Sequence, residues 1–205
     1  MTKSVIIVGA FHEVIELVEE ANIRIIGLID NTKTGFYKNY EILANDISVK
    51  ELLPELIDFE VIITPDLPTV RIMLAESYSS YGFKFCTVVS DCCKISKSAT
   101  IGSGTIIQSG VNISAESIIG AFAKLNTNCN IMHDVTIGDY TTIAPNACVL
   151  GNVYIGKACY IGSNATILPN ISICDNVIIG AGAVVTKDID SSGTYVGIPA
   201  KKVIK

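Results

Sequence analysis

Residues 131–167 read IMHDVTIGDYTTIAPNACVLGNVYIGKACYIGSNATI, and every sixth residue of this stretch is Ile or Val. The same six-residue period, with Ile, Leu or Val, runs without a slip from Ile95 to Val185. A second register lies four residues after each aliphatic and holds small or β-branched side chains such as Ala147 and Cys159. This period fits neither a helix nor a long alternating strand. It predicts a short strand and a tight corner, repeated, which is a signature of a β-helix.

The predicted corners carry residues that tolerate left-handed backbone angles. Gly follows many of the aliphatic residues, and Asn recurs where the chain must turn. The corner asparagines are Asn128, Asn146, Asn152, Asn164, Asn170 and Asn176. Because such a solenoid buries its core only by stacking coil on coil, we expect caps at its ends.

The N-terminal third has a different pattern, in which strands alternate with helices. The predicted strands are Val5–Val8, Arg24–Ile29, Val61–Ile63 and Phe85–Val89, with helices over 12–21 and from Pro68 to about Tyr81. This order predicts a small Rossmann-like parallel sheet with right-handed crossovers. We therefore divide the chain into an α/β domain over 1–90 and a β-helix domain with a C-terminal cap over 91–205.

Ligands of parallel α/β sheets bind beyond the carboxyl ends of the strands. Those ends carry Gly9, Ala10, Asp30, Asn31, Thr64 and Pro65. No further Gly follows in the segment Ala10–Glu13, so the dinucleotide fingerprint is absent. Asp30 can bind a ribose or a base, and it can equally serve as a turn and helix cap.

Composition excludes several classes of function. The formal net charge of −5 leaves no basic stripe for nucleic acid. The apolar run near the N-terminus is too short for a signal peptide or a membrane span, so we expect a cytoplasmic protein. Seven cysteines lack metal-ligand spacing, and we interpret them as structural residues.

The β-helix carries one histidine, His133, at an outside corner of its hexad. Gly151 follows it by eighteen residues, so a coil of three hexads would place the two at the same corner in adjacent layers. Acyl transfer needs a base for the nucleophile and a donor for the developing oxyanion. Imidazole, which changes charge near neutral pH, suits the base, and a glycine N–H suits the donor because no side chain blocks its approach.

Three motifs extend this interpretation to a family. They are Asn126-Thr127-Asn128-Cys129, His133-Asp134-Val135-Thr136-Ile137-Gly138-Asp139 and Gly197-Ile198-Pro199-Ala200-Lys201. Over essentially its whole length the chain resembles the sugar O- and N-acetyltransferases of the NeuD and PglD type. The resemblance implies an α/β domain followed by a left-handed parallel β-helix, assembled as a homotrimer. One departure is the segment Gly9–His12, which is one residue shorter than the family's loop and lacks its second Gly.

The resemblance also implies roles for individual residues. His133 is the general base, Asp134 supports it, and the Gly151 amide receives the thioester oxygen. Acetyl-CoA is the co-substrate, in a groove between neighbouring β-helices, and no metal takes part. The implied acetyl-CoA contacts are Gly162, Gly180, Lys187, Pro199, Ala200, Lys201 and Lys202, with Thr142 where some relatives carry a second histidine. The implied nucleotide-sugar contacts are Gly9, Ala10, His12, Asp30, Asn31 and Asn126.

These expectations lead to a prediction of function with two alternatives. The leading hypothesis is N-acetylation of a nucleotide-linked 4-amino-4,6-dideoxy sugar for surface glycan or O-antigen synthesis. One alternative is O-acetylation of sialic acid or another sugar hydroxyl, which would use the same base and groove. The other is a non-catalytic solenoid scaffold. The sequence does not choose among UDP, GDP and dTDP as the nucleotide.

Overall fold

The computed structural model describes residues 3–204. The chain divides into two compact units, the first ending at Val88 and the second beginning at Val89. The outermost residues of the two predicted domains, 1–2 and 205, lie outside the described part of the chain.

The first unit is built on one six-stranded sheet. Its strands are β1 (Ser4–Val8), β2 (Arg24–Ile29), β3 (Phe36–Tyr37), β4 (Tyr40–Ala44), β5 (Glu60–Ile63) and β6 (Lys84–Phe85). The order across the sheet is β3-β4-β2-β1-β5-β6, and all neighbours are parallel except the antiparallel pair β3–β4. The central strands β1 and β5 are almost wholly buried, as their continuous runs of Val and Ile predict.

Helices connect these parallel strands. They are α1 (His12–Glu20), a 3₁₀ helix (Ser48–Leu52), α2 (Leu53–Leu56) and α3 (Pro68–Ser80). Helix α1 buries Val14, Ile15 and Val18, which recur at helical spacing. Helix α3 begins at Pro68, whose fixed φ suits a first turn and whose missing N–H is not needed there.

Two features of the first unit differ from the prediction. The sheet is mixed rather than parallel, because the hairpin β3–β4 occupies its edge. That hairpin turns at Lys38, at φ 54°, and its first strand is short and largely exposed, so it leaves no hydrophobic alternation to detect. The predicted strand Phe85–Val89 is wrong as a single element: Phe85 pairs with Val61, while Val88–Val89 forms a separate strand.

The second unit has three sheets, which form the faces of a left-handed parallel β-helix. Face A consists of Val88–Val89, Ile106–Ile107, Lys124–Leu125, Thr142–Ile143, Tyr160–Ile161, Val177–Ile179, Gly193–Val196 and Lys201–Lys202. Face B consists of Lys94–Ile95, Asn112–Ile113, Asn130–Ile131, Cys148–Val149, Thr166–Ile167 and Val184–Val185. Face C consists of Thr100–Ile101, Ile118–Ile119, Thr136–Ile137, Tyr154–Ile155 and Ser172–Ile173.

The pairing register confirms the predicted coil of eighteen residues. Ile113 pairs with Ile131, and Ile131 pairs with Val149, so that identical hexad positions stack in adjacent layers. The repeated aliphatic residues from Ile107 to Val185 are buried in one core with the small residues of the second register. Ile95 and Ile101 are only half-buried, because the first coil has a neighbouring coil on one side only.

The corners adopt the predicted left-handed conformation. Each of the six corner asparagines has a positive φ, between 58° and 62°. At the C-terminal end the strand Gly193–Val196 adds to face A in parallel, and Lys201–Lys202 folds back antiparallel to it. This hairpin provides the cap that the stacked core requires.

Candidate active site

His133 lies at the corner where face B turns into face C. We define the His133 edge as the corner positions that stack there at intervals of eighteen residues. They are Lys97, Ala115, His133, Gly151, Pro169 and Lys187, each followed by one further corner residue: Ser98, Glu116, Asp134, Asn152, Asn170 and Asp188. The Asn152 N–H donates to the His133 carbonyl at 3.0 Å, which fixes the stacking of these two layers.

The His133 side chain is held by the neighbouring carboxylate. Its Nδ1 lies 2.8 Å from Oδ2 of Asp134, and the two side chains are 63% and 56% exposed. Asp134 has φ 60°, a left-handed angle that short polar side chains tolerate. The carboxylate thereby orients the ring and leaves Nε2 without a partner among the described residues.

Gly151 lies directly against the other side of that ring. A Cβ atom built on Gly151 would come within 2.6 Å of both Cε1 and Nε2 of His133. Only glycine allows the imidazole to lie this close to the main chain of the next coil. The structure therefore brings together the imidazole and the backbone amide that the sequence paired at one corner.

The N–H of Gly151 donates no hydrogen bond within the described residues. At two equivalent corner positions, a side-chain oxygen accepts this N–H: Ala121 donates to Asp139 Oδ1 at 2.9 Å, and Lys157 donates to Asp175 Oδ1 at 2.7 Å. In both cases the acceptor belongs to the residue eighteen positions later. For Gly151 that residue is Pro169, whose side chain has no oxygen, so the Gly151 N–H remains available.

Two predicted contacts lie away from this edge. Thr142 is fully buried on a strand of face A, and Asn126, which follows another strand of that face, is also buried. The Asn126 N–H donates to the Ile143 carbonyl at 2.9 Å. The isolated chain therefore does not bring Thr142 or Asn126 to the corner that holds His133.

Several of the predicted acetyl-CoA residues line one cavity at the C-terminal cap. This cavity has a volume of about 380 Å³. Its lining residues are Val185, Thr186, Lys187, Asp188, Ile189, Tyr195, Pro199, Ala200, Lys201 and Lys202. The Lys202 Nζ donates to Ser191 Oγ at 3.2 Å, while Lys187 and Lys201 are exposed cations at the cavity. Gly162 and Gly180 do not line it.

The first unit has two adjoining cavities at the carboxyl ends of its strands. The first, of about 230 Å³, is lined by Gly9, Ala10, Phe11, Asp30, Lys33, Thr64, Pro65 and Asp66. The second, of about 200 Å³, is lined by Val8, Gly9, Ile29, Asp30, Asn31, Thr32, Asp46, Pro65, Val70, Met73 and Leu74. Of the predicted nucleotide-sugar residues, His12 lines neither cavity and is exposed on α1. Lys33 and Asp46 are cavity residues that the sequence reasoning missed.

Asp30 separates the two cavities and is strongly hydrogen-bonded. Its Oδ2 accepts the Ala10 N–H at 2.8 Å, and its Oδ1 accepts the N–H and Oγ1–H of Thr32, both at 2.8 Å. Burial by itself would raise the pKa of Asp30, but these bonds and the Lys33 ammonium outweigh it and hold the pKa well below its usual value. The carboxylate thus fixes the two turns that form the cavity walls, as a turn-capping residue does.

A second polar network closes the far side of the second cavity. Asn31 donates through Nδ2 to Asp46 Oδ2 at 2.7 Å, and Tyr78 donates its hydroxyl to Asp46 Oδ1 at 2.8 Å. Burial, followed by the hydrogen bond to Asp46, raises the pKa of Tyr78 far above its usual value, so the phenol stays protonated and continues to donate. Position 46 carried no motif that could have pointed to this role.

Two cysteines occupy the interior of the β-helix, as predicted. Cys129 and Cys159 are buried in the small register of the core. Burial raises the pKa of the Cys159 thiol to about 11, which keeps it protonated at neutral pH. Within residues 3–204, no group of three or more His, Cys, Asp or Glu side chains could hold a metal ion. No helix in that range is long and apolar enough to cross a membrane.

The fold and the site define the class of the protein. Residues 116–151 and 152–187 each match the bacterial transferase hexapeptide family (six repeats). At one edge this β-helix places a carboxylate-oriented histidine beside an unpaired backbone N–H, a pair that can supply the base and the oxyanion donor of acyl transfer. No curated protein sequence matches the chain significantly.

Solved structures extend the match to the whole chain. The acetyltransferase domain of PglB from Neisseria gonorrhoeae FA1090, in complex with acetyl coenzyme A, is 25% identical with a TM-score of 0.92, covering 99% of this chain and 100% of that one. PerB from Caulobacter crescentus, in complex with CoA and GDP-perosamine, is 26% identical with a TM-score of 0.91. The match covers 99% of this chain and 98% of that one. WeeI from Acinetobacter baumannii AYE is 28% identical with a TM-score of 0.89. The match covers 98% of this chain and 100% of that one. These matches confirm the resemblance: the chain is an acetyltransferase that carries bacterial transferase hexapeptide repeats over residues 116–187.

Proposed function

We propose that the protein transfers the acetyl group of acetyl-CoA to the amino group of a nucleotide-linked 4-amino-4,6-dideoxy sugar, as a step in surface glycan or O-antigen synthesis. The observation that carries the proposal is the pairing of His133 Nε2 with an unoccupied backbone N–H at Gly151. PerB, which shares the fold over the whole chain, was solved with CoA and GDP-perosamine. PglB's acetyltransferase domain was solved with acetyl coenzyme A.

The two groups of the His133 edge divide the chemistry between them. The sugar amine, once neutral, attacks the thioester carbon, and Nε2 of His133 takes the proton that its nitrogen must lose. Asp134, on Nδ1, stabilises the resulting imidazolium. The Gly151 N–H stabilises the oxyanion of the tetrahedral intermediate. When the carbon–sulfur bond breaks, His133 returns the proton to the leaving thiolate, and the products are an amide and CoA thiol.

The cavity at the C-terminal cap suits the distal part of acetyl-CoA. Its volume of about 380 Å³ and its exposed lysines at 187 and 201 provide space and positive charge for the phosphorylated adenosine end. Gly162 and Gly180, which do not line this cavity, would contact the pantetheine in a groove formed with a neighbouring subunit. Thr142 and Asn126 would likewise act in a homotrimer with inter-subunit active sites.

The cavities of the first unit suit the nucleotide part of the acceptor. The first is lined by Lys33, whose ammonium would supply positive charge for the diphosphate. The second combines Val70 and Leu74 with the polar groups of Asn31, a setting for a base and ribose. Asp30 would act mainly by shaping both walls. His12 lies outside both cavities. It would contact the sugar only if the sugar approaches over the start of α1.

The experiment that tests the proposal measures CoA thiol release from acetyl-CoA with UDP-, GDP- and dTDP-linked 4-amino-4,6-dideoxy sugars. We expect thiol release with one nucleotide series. Mass spectrometry should then show an N-acetylated product about 42 Da heavier than the acceptor, which corresponds to one acetyl group per sugar. Matched 4-hydroxy sugar nucleotides are the control acceptors. Thiol release with none of the amino sugars would contradict the proposal.

O-acetylation is the second candidate, because a sugar hydroxyl could use the same base and oxyanion donor. The whole-chain likeness to PerB favours the amine, since PerB was solved with a sugar nucleotide that carries one. Competition between an amino sugar nucleotide and free sialic acid separates the two candidates. Acetylation of sialic acid in preference to every amino sugar would establish the second.

A further inference from the structure

The second cavity of the first unit, of about 200 Å³, has one polar end and one apolar wall. The wall comes from α3, where Val70, Met73 and Leu74 line the space. Met73 is 57% exposed, so a ring that entered the cavity would cover an apolar side chain that now faces solvent. A cavity with an apolar wall and a few convergent polar groups is typical of a small-molecule site.

Asn31 and Asp46 form the polar end, and two mutual hydrogen bonds fix how they face each other. Asn31 Nδ2 donates to Asp46 Oδ2 at 2.7 Å, and the Asp46 N–H donates to Asn31 Oδ1 at 3.0 Å. Because that main-chain N–H and that carboxylate need opposite partners, the hydrogen bonds assign the two ends of the Asn31 amide. The amide nitrogen therefore lies beside the carboxylate.

Both groups keep hydrogen-bonding capacity after these bonds are made. A carboxylate has about four acceptor sites. Among the described residues, Asp46 uses one site on Oδ1 for the Tyr78 hydroxyl, at 2.8 Å, and one site on Oδ2 for Asn31. The second hydrogen of Asn31 Nδ2 has no acceptor in that part of the chain. Asp30, the other carboxylate of the cavity, is by contrast saturated by donors.

The unused groups form a row of one donor and two acceptors. The donor is on Asn31 Nδ2, and the acceptors beside it are Oδ2 and Oδ1 of Asp46. Guanine carries the complementary row, which is the O6 acceptor, the N1–H donor and the N2–H donor. Uracil and thymine place a carbonyl oxygen where guanine has its amino group, so that oxygen would face the carboxylate. Adenine and cytosine begin the row with a donor, which would face the amide N–H.

We infer that the second cavity binds guanine and that Asn31 and Asp46 determine this choice of base. The inference rests on the proposed function and names the nucleotide of its acceptor, a GDP-linked amino sugar. Guanine would lie against Val70 and Met73, with N1–H and N2–H donating to Asp46 and O6 accepting from Asn31. The two cavities adjoin at Asp30, so the diphosphate would extend into the first one.

The test measures the binding of GDP, IDP, UDP and dTDP to the full-length protein by isothermal titration calorimetry. IDP lacks only the amino group of guanine, and a hydrogen bond to a charged group changes affinity by roughly ten- to hundredfold. We therefore expect GDP to bind about ten- to hundredfold more tightly than IDP. UDP and dTDP should bind no more tightly than IDP, because a carbonyl oxygen of each base would face Asp46.

The Asp46→Asn variant should exchange one base for another. Its amide would present an N–H where the wild type has an acceptor, so GDP affinity should fall by about ten- to hundredfold. XDP, which has an oxygen in place of the guanine amino group, should bind the variant about tenfold more tightly than it binds the wild type. A folding defect cannot produce that gain. Asp58→Asn removes an exposed carboxylate just before β5, at the opposite end of the sheet, and should leave every affinity unchanged.

The outcomes separate the inference from the function on which it rests. Equal affinities for GDP and IDP, tighter binding of UDP or dTDP, or no binding of any of the four would overturn the inference. An equal loss for every nucleotide in Asp46→Asn would also overturn it, because a contact with the ribose gives that result. Thiol release with only a UDP- or dTDP-linked amino sugar overturns the inference alone. Guanine-selective binding without thiol release from any amino sugar overturns the proposed function alone.

Discussion

Two edges of the same β-helix use one backbone conformation for different purposes. On the His133 edge the Gly151 N–H has no acceptor among the described residues, and the imidazole lies against the bare glycine. On the edge where face C turns into face A, which we call the Asp139 edge, the N–H of Ala121 donates to Asp139 and that of Lys157 donates to Asp175.

The Asp139 edge is further closed by contacts between coils. Lys157 Nζ lies 2.9 Å from Asp139 Oδ2, and the rings of Phe122 and Tyr140 stack in parallel with centroids 5.0 Å apart. The N–H groups of Ala121 and Lys157 thus have side-chain acceptors at this edge. The comparison shows that each β-helix corner creates one outward N–H, which either stabilises the fold through a side chain or remains available for a ligand.

Replacing His133 with Ala tests the open edge and should have the largest effect. Loss of a general base lowers turnover by about 10²- to 10⁴-fold. Because the side chain is 63% exposed, we expect the melting temperature to stay unchanged. Steady-state assays with acetyl-CoA and the acceptor measure the turnover. Calorimetry should show that the variant binds acetyl-CoA nearly as tightly as the wild type does. Undiminished turnover would contradict the assigned role.

Replacing Gly151 with Ala tests whether the open edge depends on its missing side chain. The new Cβ would lie within 2.6 Å of the imidazole, so the ring must move away from the amide. A displacement of about 1 Å in a catalytic group can cost roughly 10²-fold in rate. Turnover should therefore fall by about that factor, while circular dichroism shows an intact fold. Ala115→Gly, one coil below, is the control and should retain activity.

Replacing Asp139 with Ala tests the closed edge and should show the reverse behaviour. The variant loses a charge-assisted bond from a backbone N–H, and we expect it to be about 1–2 kcal/mol less stable with kcat unchanged. Thermal unfolding measures the stability and steady-state kinetics measures kcat, both on the same preparation. Equal losses of activity and stability would remove the distinction between the two edges.

The pH dependence of the same variant sharpens the comparison. The hydrogen bond with Lys157 is the main cause that lowers the pKa of Asp139, and the Ala121 N–H adds to it against burial. A carboxyl whose pKa is lower in the folded state contributes stability above its unfolded pKa of about 3.9 and loses it as pH falls further. The difference in stability between wild type and Asp139→Ala should thus be full at pH 6 and shrink below pH 4.

The β-helix could be predicted from sequence because its repeat is a direct consequence of its geometry. Each interior position, from Ile107 to Val185, must be aliphatic to fill the core, so the period is visible in one chain. The hairpin β3–β4 could not be predicted, because Phe36 is exposed and two residues carry no periodicity. The break after Phe85 was hidden because one apolar run serves two sheets.

The site was predictable only where the repeat itself fixed the geometry. Counting eighteen residues from His133 to Gly151 was enough to place both at one corner. Thr142 and Asn126 come to lie on face A, away from that corner, and a role for them requires a second chain that the sequence of one does not describe. Lys33 and Asp46 escaped notice because tertiary folding, not spacing, brings them to the cavities.

The central claim is that the Gly151 N–H, left without an acceptor beside the His133 ring, makes the His133 edge the reactive one. The most direct test is Pro169→Asp, which would place a carboxylate eighteen residues after Gly151, as Asp139 stands after Ala121. Loss of one oxyanion donor should lower turnover by about 10²- to 10³-fold relative to Pro169→Ala, with a melting temperature at least as high. Equal turnover in the two variants would contradict the account.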